Sequence, residues 1–307
     1  MLSTTLAKIT PKLTDNIFSA TPFLNWLQKS GNVQKVSGGA KIVQPLLFAT
    51  NSTAGSYIGY DNVATTPQEG ITAAEYDWKQ FGVTVAIAGI EELKNSGDTQ
   101  VISLLESKIT QAKNSAVESM SSMFFGDGTG NGSKDWNGLK HIVPVDPTTG
   151  TVGNIDRSVA ANAFWRTKTE TTVEALTLAR MSTMYNNYSV GNQTPDFLVT
   201  TQTLWEKYEA LLLPAQRFSD ASTAQAGFDN LVYKSKAPVV WDVYCTAGYL
   251  YFLNSTALKL KVHQDRWMKA GPFLQEAGQD ARYSLISSAG NLVTNASRLL
   301  GVLSGKS

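Results

Sequence analysis

From Asp98 to Phe125 the apolar positions Ile102, Leu105, Ile109, Ala112, Ala116, Met120 and Met123 recur at steps of three and four. That period lays one apolar stripe along a helix. Asp98 is placed to cap its start, and Gly126 follows its last turn. The span 98–125 makes a rod of about 40 Å, twice or more the usual helix length. Such a helix is a spine on which other elements pack.

Before the spine the period changes. Residues 1–32 read as an arm, with Pro11, Pro22 and Gly31 as breaks and Phe18, Phe23, Trp26 and Leu27 as scattered anchors. Its apolar face is too small to fold alone. Residues 33–83 read as an extended two-stranded loop, with "GGAKIVQPLLFAT" and "ITAAEYDWKQFGV" flanking a polar middle rich in turn formers. A polar connection of that length inside a compact domain reads as a projection with a binding role, and Tyr57 and Tyr60 are its candidate anchors.

After the spine, element types alternate. "TVEALTLARMSTMYNNY" and "QTLWEKYEALLL" carry helical periods; "DFLVTT", "NLVYKSKAPVVWDVYC", "GYLYFLN" and "LKLKVHQ" read as strands. Residues 155–283 thus form an α/β lobe. The apolar, strand-like stretch 284–307 is expected to return to a first lobe made of residues 84–154. No internal repeat is present.

Between the spine and that lobe lies "FFGDGTGNGSKDWNGLKHIV", with Gly126, Gly128, Gly130 and Gly132 in seven residues and an aliphatic run expected as a strand. A phosphate loop needs Gly-Lys-Ser/Thr between a strand and a helix, but here Lys134 follows Ser133 and the turn follows a helix. Asp127, Thr129, Asn131 and Gly132 match the first positions of a calcium loop, yet Gly138 stands where the bidentate Glu is required. The stretch reads as a structural turn that uses glycine for left-handed backbone. Cys245 lies in an aromatic, strand-like run, and His141 and His263 are the only histidines. A small buried thiol is the common outcome there. Glu91 and Glu92 read as solvated or helix-dipole carboxylates. No catalytic, cofactor-binding or metal-binding residue is assigned, and the chain is not read as an enzyme.

Bulk properties narrow the class further. With 26 Lys and Arg against 25 Asp and Glu, any nucleic-acid contact is diffuse. A single cysteine excludes a disulfide framework and fits a reducing cytoplasm. The longest apolar run, Phe81 to Ile90, is about half a membrane span. Charged residues make up 17% of the chain, against roughly a quarter in an average soluble domain, so part of the surface is expected to face partners rather than water.

The order of these parts resembles the major capsid proteins of tailed bacteriophages. It runs through an arm, a long loop, "VAIAGIEELKNSGD" into a long helix, "MFFGDGTGNGSKDWNGLKHIV", "PDFLVTTQTLWEKYEALLLPAQRF" and "APVVWDVYCTAGYLYFLN". The resemblance covers nearly the whole chain and implies an α+β fold: an N-terminal arm (1–32), the extended loop (33–83), a peripheral domain (84–154) built on the spine helix, an axial domain (155–283), and a return to the peripheral domain (284–307). It implies self-assembly into pentameric and hexameric capsomers of an icosahedral shell, in a virion assembled in the bacterial cytoplasm. The shell would make non-specific contact with packaged double-stranded DNA, with portal and decoration proteins as partners and no membrane. No long charged helix precedes the arm as a built-in scaffold, which leaves a separate scaffolding protein or none. The isopeptide cross-link of some members is assigned no residues. An encapsulin-like compartment, which shares the fold, is the alternative, and an α/β enzyme with a lid loop is the remote one.

Overall fold

A computed structural model describes residues 21–94, 98–212, 231–275 and 278–306, with the side chains of 92–107 excluded. The expected arm enters this description only at Thr21; its anchor Phe18 and the first two members of the spine stripe, Ile102 and Leu105, lie outside it. Pro22–Lys29 is a helix with proline in its first turn, where a missing N–H is harmless. It buries Phe23, Leu24 and Leu27, so this part of the arm belongs to the main core.

The described strands form two six-stranded sheets and two small hairpins. In the first sheet the 14-residue strand Ala281–Thr294 is the hub. Its first ten residues pair antiparallel with Lys79–Ala88, in register from Ala281 opposite Ala88 to Gly290 opposite Lys79. Its last five pair with Leu258–Val262, whose other edge carries Val33–Val36 in parallel. Burial alternates along the early part of the hub strand and becomes continuous from Ser288 onward, where both sheet faces are covered.

The spine helix runs Asp98–Phe125 and packs on the strand Lys79–Ala88. Its buried stripe is Ile109, Ala112, Ala116, Met120 and Phe124, so the last step lands on Phe124 where Met123 is expected, and Met123 is only partly buried. Phe23 meets Phe124 and Phe125 at ring distances of 6.1 and 5.6 Å, and Trp26 stacks on Phe197 at 4.7 Å. Phe197 belongs to the second sheet, so the helix Pro22–Lys29 bridges both layers.

That second sheet has the order Lys168–Glu170, Gly301–Leu303, Leu250–Leu253, Phe197–Thr200, Ala237–Trp241, Leu231–Tyr233. Its central strands Phe197–Thr200 and Leu250–Leu253 are buried at every position, which explains their continuous apolar sequence. One face (Phe197, Val199, Tyr251, Leu253) joins the spine core; the other (Leu198, Val239, Phe252) packs on the helices Leu178–Tyr188 and Gln202–Leu211.

Four sequence expectations are corrected. "GLKHIV" is a short helix, Leu139–Ile142, rather than a strand, because Trp136, Leu139 and Ile142 are buried at helical spacing. "LKLKVHQ" lies in the first sheet through its pairing with the hub strand, not in the second lobe. The terminal segment does not simply return to the first sheet: Gly301–Leu303 is inserted between Leu250–Leu253 and Lys168–Glu170 of the second. The helix expected from residue 172 begins at Leu178, with the Thr177 hydroxyl accepting from Arg180 N–H. Upstream the chain is held extended, because Glu174 N–H donates to Gly305 O and the buried Lys306 ammonium contacts Glu170, Glu174 and Thr172 O.

The joint between spine helix and the following segment depends on close backbone approach. A Cβ at Gly138 would lie 2.3 Å from Gly126 O and 2.4 Å from Met123 O, at the end of the spine helix. Neither carbonyl is on a side chain that could swing away. Gly138→Ala is therefore expected to cost at or above the roughly 1 to 3 kcal/mol typical of overpacking. The measurement is the urea midpoint, and an unchanged midpoint would show that the joint yields freely.

Candidate assembly surface

The strands Ile42–Leu47 and Ile71–Tyr76 pair antiparallel and lie against the first sheet. Alternation turns Ile42, Leu46, Ala74 and Tyr76 inward, onto Val152, Ile155, Trp165 and Val293. The opposite face carries Val43, Pro45, Leu47, Ile71 and Ala73, with Glu75 opposite Val43 and paired to Lys41 at 3.0 Å near the root, and with Leu47 80% and Ile71 78% exposed. Beyond the Lys41–Glu75 pair the outer face is apolar, and it is uncovered in the isolated chain.

Beyond the ribbon, pairing stops. Phe48 N–H donates to Gly70 O at 2.9 Å, and further out a single bond joins the two arms of the loop among the described residues, Ser52 Oγ to Gln68 Oε1 at 2.9 Å. The other bonds are local, such as Thr53 to Asn51 and Ile58 N–H to Asp61. The two-stranded region is thus shorter than expected, and residues 48–70 carry no ladder. Tyr57, Ile58, Tyr60 and Val63 stand exposed there, Tyr60 completely. Of the seventeen large apolar side chains left exposed among the described residues, eight lie between Val43 and Ile71. Scattered exposed apolar residues need no explanation, but their concentration on one projection marks an interaction surface.

The root of the projection is firm. Tyr76 Oη donates to Thr294 O at 3.0 Å, Trp78 Nε1 donates to Gly39 O at 2.8 Å, and Asn291 Nδ2 donates to Asp77 O at 2.9 Å. Burial pushes the Tyr76 phenol well above its ordinary range, so it remains a neutral donor. Below it the fully buried Arg157 donates from Nε to Trp165 O at 3.1 Å and from one terminal nitrogen to Ile142 O at 2.8 Å and Ser297 Oγ at 3.2 Å. Trp165 and Ile142 are the last residues of two short helices, Ala160–Trp165 and Leu139–Ile142. Their terminal carbonyls favour a cation and so offset part of the cost of burying the guanidinium, while among the described residues no carboxylate is paired to it and its second terminal nitrogen has no hydrogen-bond partner. Burial lowers its pKa to about 10, which leaves it charged at neutral pH.

The remaining sequence candidates are not brought together into a reactive centre. In the glycine turn, Asp127 Oδ1 accepts from the Thr129 hydroxyl at 2.7 Å and from Thr129 N–H at 3.0 Å, and these bonds hold its carboxyl below the usual range. Two of the three side chains a calcium loop would use are turned onto each other. The turn is fastened to the first sheet by Lys79, whose ammonium donates to Ser133 O. Burial lowers the pKa of His141. Glu91 pairs with Lys108 at 2.5 Å, and that bond lowers its pKa, so it ties the strand end to the spine helix. The Glu92 side chain is outside the described residues. Cys245 is buried, its Sγ 3.8 Å from Tyr249 O, and burial pushes its thiol far up. Tyr57 and Tyr60 are exposed, as either an anchor or an ordinary loop residue would be, while the outward face of the ribbon and Arg157 were not anticipated from the sequence; the apolar residues at Val43, Pro45 and Leu47 were the available signal.

Two solution outcomes follow. A thiol-reactive probe should leave Cys245 unmodified in the native protein and label it fully in denaturant; native labelling at the denatured rate would contradict its burial. Calorimetry should detect no calcium site at micromolar metal, and a site lost in Asp127→Ala would overturn the reading of the turn.

No family model matches the sequence, and no curated protein sequence matches it. Solved structures do match in fold. The capsid asymmetric unit of cyanophage A-1(L) superposes with a TM-score of 0.67 at 18% identity, covering 93% of both chains. The procapsid of satellite phage P4, which includes the size determination (Sid) protein, matches with a TM-score of 0.55 at 14% identity over 97% of this chain and 91% of that one. The capsid of Myoviridae phage XM1 matches with a TM-score of 0.56 at 10% identity over 90% of each. The chain therefore has the α+β fold of tailed-phage capsid proteins.

Proposed function

We propose that this chain is a major capsid protein, many copies of which tile an icosahedral shell around the double-stranded DNA of a tailed phage. Its role is structural rather than enzymatic, its first partner is itself, and its place is the virion, after assembly in the host cytoplasm. The observation that carries the reading is the projection at 42–76, rich in exposed apolar side chains from Val43 to Ile71 and unpaired beyond Phe48, on a chain whose fold matches capsid subunits over nearly its full length. Ordering such a segment costs roughly 1 to 2 kcal/mol per residue in backbone entropy. Its own interior supplies little to offset that, so a neighbouring copy supplies the rest. The P4 procapsid contains a size-determination protein alongside its shell subunit. A shell of this chain is proposed to use a separate assembly partner in the same way.

Deleting residues 51–70 tests the reading. The variant should keep its native circular dichroism, because the deletion removes only the unladdered tip, and should fail to form closed shells in sedimentation and micrographs. Shells of normal size and stability from the folded variant would contradict it. Particles made by the intact chain should hold nuclease-protected DNA; an enclosed enzyme would instead indicate a compartment.

A further inference from the structure

Two asparagines precede glycine in this chain, Asn131 before Gly132 and Asn137 before Gly138, and the structure treats them in opposite ways. Such pairs can react internally, because a glycine amide nitrogen has no neighbouring Cβ to hinder its approach to the asparagine side-chain carbon. Asn131 and Gly132 are both exposed, with φ of 51° and 66°. Beyond the adjacent backbone of the turn itself, no atom lies within 4 Å of the place a Gly132 Cβ would take. Among the described residues the Asn131 side chain makes no hydrogen bond. Asn137 N–H, in contrast, donates to Asn291 Oδ1 at 2.9 Å. Gly138 is buried on the spine-helix carbonyls, and its own carbonyl accepts from His141 and Ile142 N–H, each at 3.1 Å. Ring closure at Asn137 would require the joint to come apart.

We propose that Asn131 is a self-modification site, where the chain converts an amide to a carboxylate without an enzyme or cofactor. The Gly132 amide loses its proton to base as its nitrogen bonds to Asn131 Cγ. The bond from Cγ to the side-chain nitrogen then breaks, and that nitrogen takes up a proton and leaves as ammonia. The product is a five-membered cyclic imide. Water adds to one of its two carbonyls and opens the ring, giving either aspartate or isoaspartate at position 131. Overall one water is consumed and one ammonia released, with no change of oxidation state.

The new charge would appear at a groove of about 600 Å³ between the spine helix, the strand at Gln80–Gly82 and the glycine turn, lined by Asn131, Glu118, Lys134, Asp135 and Tyr244. The conversion adds a negative charge beside Glu118, Asp135 and Lys134, next to the Lys79 ammonium on Ser133 O. The isoaspartyl product also inserts one methylene into the backbone of the turn that Lys79 fastens to the first sheet. Age of the folded chain is thereby written into the joint of the spine helix.

The test is peptide mass spectrometry of the full chain after incubation at mildly acidic and mildly alkaline pH. Trypsin cleavage after Lys134 separates the two asparagines. The peptide ending at Lys134 should gain one mass unit and split into two chromatographic forms, faster at alkaline pH, where the amide proton is lost more readily. Asn131→Gln should abolish the gain. The peptide carrying Asn137 should stay unchanged in the native protein and convert once it is denatured. No gain at position 131, or equal gains at both asparagines in the folded chain, would overturn the proposal.

Discussion

A guanidinium buried with no carboxylate paired to it among the described residues anchors the base from which the projection extends. Arg157 is charged, fully buried, and held by two helix-terminal carbonyls and one hydroxyl. A buried charge is costly unless its surroundings are fixed in place, so the helices Ala160–Trp165 and Leu139–Ile142 and the segment at Ser297 are committed to one arrangement around it. Trp165, which supplies one carbonyl, also forms part of the floor beneath Ile42, Leu46 and Tyr76. The ribbon therefore leaves the body from a rigid root, while its tip has little to hold it. That contrast between firm root and unsupported tip is the physical reason to regard the projection as a connector between copies.

Behind it the two sheets share an apolar cluster. One face of the second sheet contributes to the same apolar cluster as the spine helix, and the ring stack of Trp26 on Phe197 closes the seam. After the hub strand Ala281–Thr294 the chain crosses to insert Gly301–Leu303 into the second sheet. Thr294 and Asn291, both bonded to the root of the projection, belong to the strand on which most of the first sheet pairs.

Local pattern was sufficient where local pattern decides structure. The spine helix declared itself because a long run at steps of three and four has no competing reading, and Phe197–Thr200 and Leu250–Leu253 did so because strands buried on both faces are apolar throughout. What the sequence left unresolved was non-local. "LKLKVHQ" alternates in the same way whichever sheet accepts it, and only its pairing with Leu292 and its neighbours assigns it. Glu174 lies in a helix-like pattern but is held extended by Gly305 and Lys306, more than a hundred residues away. Arg157 carried no sequence signal at all, since nothing near it in the chain marks it as buried. The outer face of the ribbon was concealed for a different reason: a strand apolar on both sides looks like a core strand until one side is found bare.

Electron microscopy of the purified full-length chain at high concentration tests the central claim most directly. The account predicts closed shells of regular size in which density for residues 48–70 rests against an adjacent copy and Leu47 and Ile71 are covered. A field of discrete monomers, with the projection ordered and its apolar outer face left in solvent, would contradict it.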